Sequence, residues 1–177
     1  MKYLTVTAVI ISIICVSCLS DKEKDLRSIV NHPVNIDISD TVWHRDTALS
    51  FVDFRRKYKY LSVVYLLNGC RPCYQEFINW HKKMESFTTS KDYTVLFIIN
   101  GDNYKDLMSK VDEIDQVDKK YYILMDPHSK FVGKNLNIPK WIRDGSVLID
   151  KENKIKMVGK PWVNSSMIEL FNRVCVN

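Results

Sequence analysis

The chain has 177 residues, a length that suits one domain plus an export segment. Hydrophobic residues make up 46% of it and charged residues 27%, which excludes a disordered or low-complexity protein. The formal net charge of +5 is too mild to indicate nucleic-acid binding. The densest basic run, residues 55–59, is interpreted as a solvated segment that leads into a strand.

The first 17 residues have the pattern of a secretory signal peptide. Lys2 supplies the one positive charge, and an apolar stretch covers residues 4–16. A spanning helix needs about 20 apolar residues, so this stretch is short for one, although a signal anchor stays open as an alternative. Exported proteins reach compartments where disulfides form and persist.

The end of this segment predicts a lipid attachment site. Val16-Ser17-Cys18 resembles a bacterial lipobox, in which a small residue precedes the Cys that is lipidated and becomes the mature N-terminus. Cys15 fits this role poorly because Ile14 is too large for the position before cleavage. We therefore expect a signal peptide over residues 1–17, a lipidated tether over 18–33 and a folded domain over 34–177. A plain cleaved signal peptide is the alternative, whereas a diacylated Cys18 would hold the domain on a membrane in the bacterial cell envelope.

The rest of the chain alternates between strand and helix patterns. Continuous apolar runs predict buried strands, and apolar residues spaced by three and four predict helices. Such alternation, closed by a hairpin and a helix, predicts an α/β fold with a central mixed sheet and helices on both faces. Strands are predicted near residues 34–46, 61–67, 93–100, 121–125, 146–150 and 155–158, and helices near residues 48–58, 73–87, 104–114, 129–136 and 165–174.

Five cysteines divide between the export segment and the domain. Cys15 leaves with the signal peptide, Cys18 is assigned to the lipid, and Cys175 is interpreted as a small apolar residue of a terminal helix. The remaining pair, Cys70 and Cys73, has the Cys-X-X-Cys spacing. A zinc ribbon would need a second Cys or His pair at ligand spacing, which the sequence lacks, so no metal is expected.

The Cys70-Arg71-Pro72-Cys73 motif lies where a predicted buried strand gives way to a helix. A helix N-terminus offers unpaired N–H groups and the positive end of a dipole, and these stabilise a thiolate. Pro72 suits the first helical turn, where a missing N–H costs nothing. Arg71 adds a positive charge beside the thiolate. This placement predicts thiol–disulfide chemistry, with Cys70 as the nucleophile and Cys73 as the resolving thiol.

At these residues the chain resembles the thioredoxin superfamily, and within it the exported, membrane-attached oxidoreductases of the TlpA/ResA type. The resemblance covers about residues 55–177 and rests on the Cys70/Cys73 pair, on Glu76 three residues later, and on the hairpin near residues 146–159. It implies a thioredoxin-like fold and a proton-handling role for Glu76. It also implies a protein substrate bound beside the motif by Arg71 and Pro72, and a membrane redox partner. No metal or organic cofactor is implied, and a monomer is expected.

Three positions depart from the family pattern. Gly69 stands where the family often has Trp, and Val64 stands where thioredoxins proper have a buried acid. The family places a cis-proline, which holds substrate backbone, just before the first strand of the hairpin. Here Asp144-Gly145 precedes that strand. Either residues 140–145 are an insertion after a cis, substrate-binding Pro139, or the cis-proline is missing.

We therefore expect a thiol–disulfide oxidoreductase that reduces disulfides of exported proteins. A peroxidase is disfavoured because the Pro-X-X-X-Thr-X-X-Cys motif of peroxiredoxins is absent before Cys70. The alternative from another class is a non-catalytic binding module of a lipoprotein complex, in which Cys70 and Cys73 form a static structural disulfide.

Overall fold

The computed structural model describes residues 20–45, 47–87 and 90–175. Seven strands and seven helices occupy these ranges. The strands are β1 (Thr41–His44), β2 (Thr47–Ser50), β3 (Tyr60–Leu67), β4 (Tyr93–Asn100), β5 (Tyr122–Met125), β6 (Ser146–Ile149) and β7 (Ile155–Val158). The helices are α1 (Asp21–Ile29), α2 (Phe51–Lys57), α3 (Arg71–Met84), α4 (Tyr104–Asp112), α5 (Lys130–Lys134), α6 (Lys140–Arg143) and α7 (Ser165–Cys175).

One mixed sheet organises the domain, with the strand order β2-β1-β5-β4-β3-β6-β7. The three central strands β3, β4 and β5 are parallel, while β6 pairs antiparallel with β3 and closes the hairpin with β7. Both faces of the sheet carry a hydrophobic core, since Leu61 and Leu96 pack on one side and Phe77 and Phe97 on the other. The predicted α/β architecture is confirmed.

Strand β3 and helix α3 position the cysteine motif. Six of the eight β3 residues are buried, which explains why this stretch reads as a continuous apolar run. Helix α3 buries Phe77, Trp80 and Met84 against the sheet, as their spacing predicts. Strand and helix are joined by a two-residue turn and the residue that caps the helix.

Two stretches near the N-terminus differ from the prediction. The expected tether contains helix α1, whose Ile29 is buried in the core, and Asn31 N–H donates to the Ile155 carbonyl at 2.8 Å. The helix expected from residue 48 begins at Phe51 instead, because the Ser50 side chain accepts the Asp53 N–H at 3.4 Å and caps the helix there. Residues 47–50 pair with β1.

The described residues include no helix that is long and apolar enough to span a bilayer. The predicted signal peptide and the lipid-attachment residue Cys18 lie outside the described residues.

Candidate active site

Cys70 and Cys73 form a disulfide at the N-terminus of α3, with their Cα atoms 5.2 Å apart. Cys70 is the residue that precedes the helix, and its carbonyl accepts the N–H groups of Cys73 at 2.9 Å and of Tyr74 at 3.1 Å. Both cysteines are half-buried, so the bond is reachable from solvent. The sulfurs therefore lie at the positive end of the α3 dipole, which favours a thiolate.

The turn before the motif is held by a small hydrogen-bond network. Gly69 has a φ of +81°, a left-handed conformation that glycine adopts without steric cost. Its N–H donates to the Tyr74 hydroxyl at 2.6 Å, and that hydroxyl donates to Asn68 Oδ1 at 2.8 Å. This conformation gives a physical reason for glycine at the position where the resembling family often has Trp.

A cleft of about 470 Å³ opens beside the disulfide. Pro72, Cys73 and Glu76 line it from α3, and residues 65–67 line it from the end of β3. Helix α6 and the residue after it also contribute to the lining. The full lining is Tyr65, Leu66, Leu67, Pro72, Cys73, Glu76, Val132, Lys140, Arg143 and Asp144.

Glu76 is partly buried within this cleft and is paired with a basic residue. Its Oε2 accepts a hydrogen bond from Lys160 Nζ at 2.7 Å, and its side chain is 22% exposed. Its Oε1 is buried with no hydrogen-bond partner among the described residues. Glu76 follows Cys73 by three residues, so the two side chains lie one helical turn apart.

The three predicted substrate-binding residues, Arg71, Pro72 and Pro139, do not all lie at the cleft. Pro72 lines the cleft, and Arg71 is exposed beside it. Pro139 precedes α6 and is not a lining residue of the cleft. No peptide bond within the described ranges is cis, so the interpretation with a cis Pro139 is wrong. Residues 140–143 form α6, and Gly145, directly before β6, accepts the Tyr65 N–H at 3.4 Å.

The sequence analysis missed the residues that α6 and the loop after β7 bring to the cleft. Lys140, Arg143 and Asp144 belong to a four-residue helix and its cap, too short to show helical periodicity. Lys160 follows Gly159, whose φ of +98° turns the chain at the end of β7. The Gly-Lys-Pro sequence marks that turn, but nothing in it indicates a partner 84 residues earlier.

The third cysteine of the domain does not compete with the motif. Cys175 is buried at the end of α7, and burial raises the pKa of its thiol to about 12. A thiol of this kind is protonated and unreactive at neutral pH. No cluster of three or more His, Cys, Asp or Glu residues suited to a metal ion occurs in ranges 20–45, 47–87 and 90–175.

Comparison with known proteins finds similarity in structure. No protein-family model and no curated relative matches the sequence. A candidate electron transport protein from Aquifex aeolicus VF5 is 19% identical with a TM-score of 0.52, over 81% of this chain and 94% of that chain. A candidate thiol:disulfide interchange protein DsbE from Chlorobium tepidum is 16% identical with a TM-score of 0.51, over 75% and 90%. A thiol:disulfide interchange protein from Bacteroides sp. is 18% identical with a TM-score of 0.50, over 77% and 86%. This chain therefore has a thioredoxin-like α/β fold, with the Cys70–Cys73 disulfide at the N-terminus of the helix after its first central strand.

Proposed function

We propose that this protein is a thiol–disulfide oxidoreductase that reduces disulfides of exported proteins through Cys70 and Cys73. The observation that carries the proposal is the Cys70–Cys73 disulfide at the start of α3, reachable from solvent and bordered by a cleft. A helix N-terminus lowers the pKa of a thiol, and a thiolate is the species that attacks a disulfide.

The exchange takes two steps in the reducing direction. The Cys70 thiolate attacks one sulfur of the substrate disulfide, forms a Cys70–substrate bond and releases the other substrate sulfur as a thiolate. The Cys73 thiolate then attacks Cys70, forms the Cys70–Cys73 bond and releases the second substrate thiolate. The substrate gains two electrons, and the protein dithiol loses them. A membrane-bound dithiol partner would restore the reduced pair.

The proposed location is the bacterial cell envelope, with the chain anchored through a lipid on Cys18. The signal-like segment and the lipobox resemblance support it, as do two of the structurally similar proteins, which are thiol:disulfide interchange proteins. If Cys18 carries the anchor, the wild-type protein takes up labelled palmitate in cells and Cys18→Ala does not. A wild-type protein that takes up no label would contradict lipid anchoring and favour a signal anchor.

Reduction of insulin disulfides by dithiothreitol, with the protein in catalytic amount, tests the activity. We expect residues 20–177 to accelerate the reaction, and we expect Cys70→Ser to abolish the acceleration. Pre-reduced Cys73→Ser, mixed with insulin in the absence of dithiothreitol, should accumulate a mixed disulfide that is visible by mass spectrometry, because its resolving thiol is missing. Cys175→Ser is the matched control and should keep full activity. A protein that never accelerates the reaction would support the binding-module alternative.

A further inference from the structure

The pairing of Glu76 with Lys160 joins two distant parts of the chain at the edge of the cleft. Lys160 lies in the loop after β7, and Gly159 N–H donates to the Ser146 carbonyl at 2.7 Å, which fixes the start of that loop. Lys160 Nζ is 2.7 Å from Glu76 Oε2, and the two side chains are 39% and 22% exposed. Because the pair is partly shielded from water, it orients the carboxylate more firmly than a surface ion pair would.

The second oxygen of Glu76 is left without a protein partner. Glu76 and Ser146 both line a second cavity of about 250 Å³, together with Lys160 and Asp144. Glu76 Oε1 and Ser146 Oγ are both buried and unpartnered within the described part of the chain. The cavity is large enough for a water molecule, which could hydrogen-bond to either of these two unpartnered oxygens.

Glu76 also lines the cleft beside the reacting cysteines. It shares the larger cleft with Cys73, one helical turn away on α3. Starting from the proposed function, we propose that Lys160 is a positioning residue of the exchange reaction. It holds Oε2 of the Glu76 carboxylate, so that Oε1 is turned to accept the proton of the Cys73 thiol.

The resolving step transfers one proton and exchanges one disulfide bond for another. The Cys73 thiol gives its proton to Glu76 Oε1, and the resulting thiolate attacks the Cys70 sulfur of the mixed disulfide. The Cys70–Cys73 bond forms, the Cys70–substrate bond breaks, and the substrate sulfur leaves as a thiolate with the electron pair. Glu76 then returns its proton to water in the smaller cavity, and the substrate thiolate takes a proton from solvent.

A two-phase reaction with the aromatic disulfide DTNB separates the resolving step from the first attack. In the reduced protein, Cys70 attack releases one coloured thiolate, and Cys73 attack on the mixed disulfide releases the second. The pH at which the second phase reaches half its maximal rate reports the Cys73 thiol coupled to its neighbours. All variants are made in the Cys175→Ser background so that only the motif reacts.

We expect Lys160→Met to move the half-maximal pH of the second phase up by about one unit, because the Glu76 carboxylate is no longer held with Oε1 turned towards the Cys73 thiol. Lys160→Arg, which keeps the charge, should restore it. In a Glu76→Gln background the Lys160→Met shift should vanish, because Lys160 acts through the carboxylate. Lys156→Met is the matched control, since it removes the Lys156–Asp150 ion pair away from the cleft and should move neither phase.

The result that overturns the proposal is a second phase whose pH profile is unchanged in Lys160→Met, or one that shifts equally with and without Glu76. A wild-type protein with no second phase at all would instead overturn the proposed function, because Cys73 would then not resolve the mixed disulfide. Urea unfolding of each variant shows whether it is folded, so that loss of the fold is not mistaken for either result.

Discussion

The Tyr74 hydroxyl donates a hydrogen bond to Asn68 Oδ1 at 2.8 Å, across the turn that presents Cys70. The same hydroxyl accepts the Gly69 N–H at 2.6 Å, so one buried side chain of α3 fixes both residues between β3 and the motif. The turn is therefore held by the helix that it introduces, and the position of Cys70 depends on Tyr74.

Tyr74→Phe should lower the free energy of unfolding by about 0.5–1.5 kcal/mol, the net contribution of an ordinary hydrogen bond. The Gly69 N–H is exposed and keeps Asn68 Oδ1 as a second acceptor at 3.1 Å, so it is not left unsatisfied. The phenylalanine ring still fills the space of the tyrosine ring in the core. The decrease in the free energy of unfolding therefore measures the contribution of the hydroxyl alone. Urea unfolding followed by circular dichroism gives the value. A change within the error of the wild type would show that the hydroxyl does not hold the turn.

Gly69→Ala should cost about 1–2 kcal/mol, since an L-residue pays that much in the left-handed region. No heavy atom lies within 4 Å of the added Cβ, so backbone strain is the sole expected cause. Gly133→Ala is the matched control: its Cβ also meets nothing within 4 Å, but Gly133 lies in α5. There alanine should stabilise by about 0.5–1 kcal/mol. Equal effects at both positions, measured by urea unfolding, would contradict the explanation.

His81 should make the stability depend on pH between about 6.5 and about 4. Its ring is buried between aromatic side chains, Nδ1 lies 3.0 Å from the Phe77 carbonyl oxygen, and burial lowers the pKa of His81 to about 4. The unfolded chain binds a proton at a higher pH than the folded chain does. Stability from this group is therefore complete above pH 6.5 and falls by up to about 3 kcal/mol as the pH drops towards 4.

The His81→Phe variant should flatten this part of the pH dependence, as measured by urea unfolding at intervals from pH 7 to pH 4.5. His128→Gln, at an exposed histidine, is the control and should follow the wild type. If His81→Phe falls as steeply as the wild type, other groups carry the acid sensitivity.

The cleft should matter for a protein substrate and not for a small disulfide. Leu67 is 47% exposed at the end of β3 and lines the cleft. Leu67→Ser should slow insulin reduction about tenfold, as expected from the loss of one apolar contact worth about 1.4 kcal/mol. The first phase with DTNB should be unchanged, because no charge is added beside Cys70. Val163→Ser, at an exposed apolar residue outside the cleft lining, is the matched control, and an equal loss there would show that the cleft does not bind the substrate.

The central sheet could be predicted well because strands buried on both faces appear in the sequence as continuous apolar runs. Residues 93–99 of β4 are all buried, and the strand is therefore read as an apolar run without interruption. The place of the cysteine motif was equally predictable, because it follows from the apolar run of β3 and from the helical spacing of Phe77 and Trp80. The buried strands and the position of the motif are both set by residues that are close together in the chain.

The far side of the site could not be predicted, because it depends on contacts between distant residues. Lys160 meets Glu76 only after the hairpin packs against β3, and α6 has four residues whose polar members give no periodic signal. Helix α1 was missed for a related reason: Ile29 is its one buried residue, and of its other residues only Leu26 is apolar. Trp141 of α6 donates to Asp25 of α1 at 2.9 Å, a contact that local sequence does not reveal.

The reduction potential of the Cys70–Cys73 couple tests the central claim most directly. Residues 20–177 carrying Cys175→Ser are equilibrated in dithiothreitol and glutathione buffers, and alkylation with mass spectrometry gives the reduced fraction. We predict a reversible two-electron couple between about −270 and −120 mV, the range of known exchange proteins. A bond that resists reduction below about −300 mV would contradict the account and identify a structural disulfide.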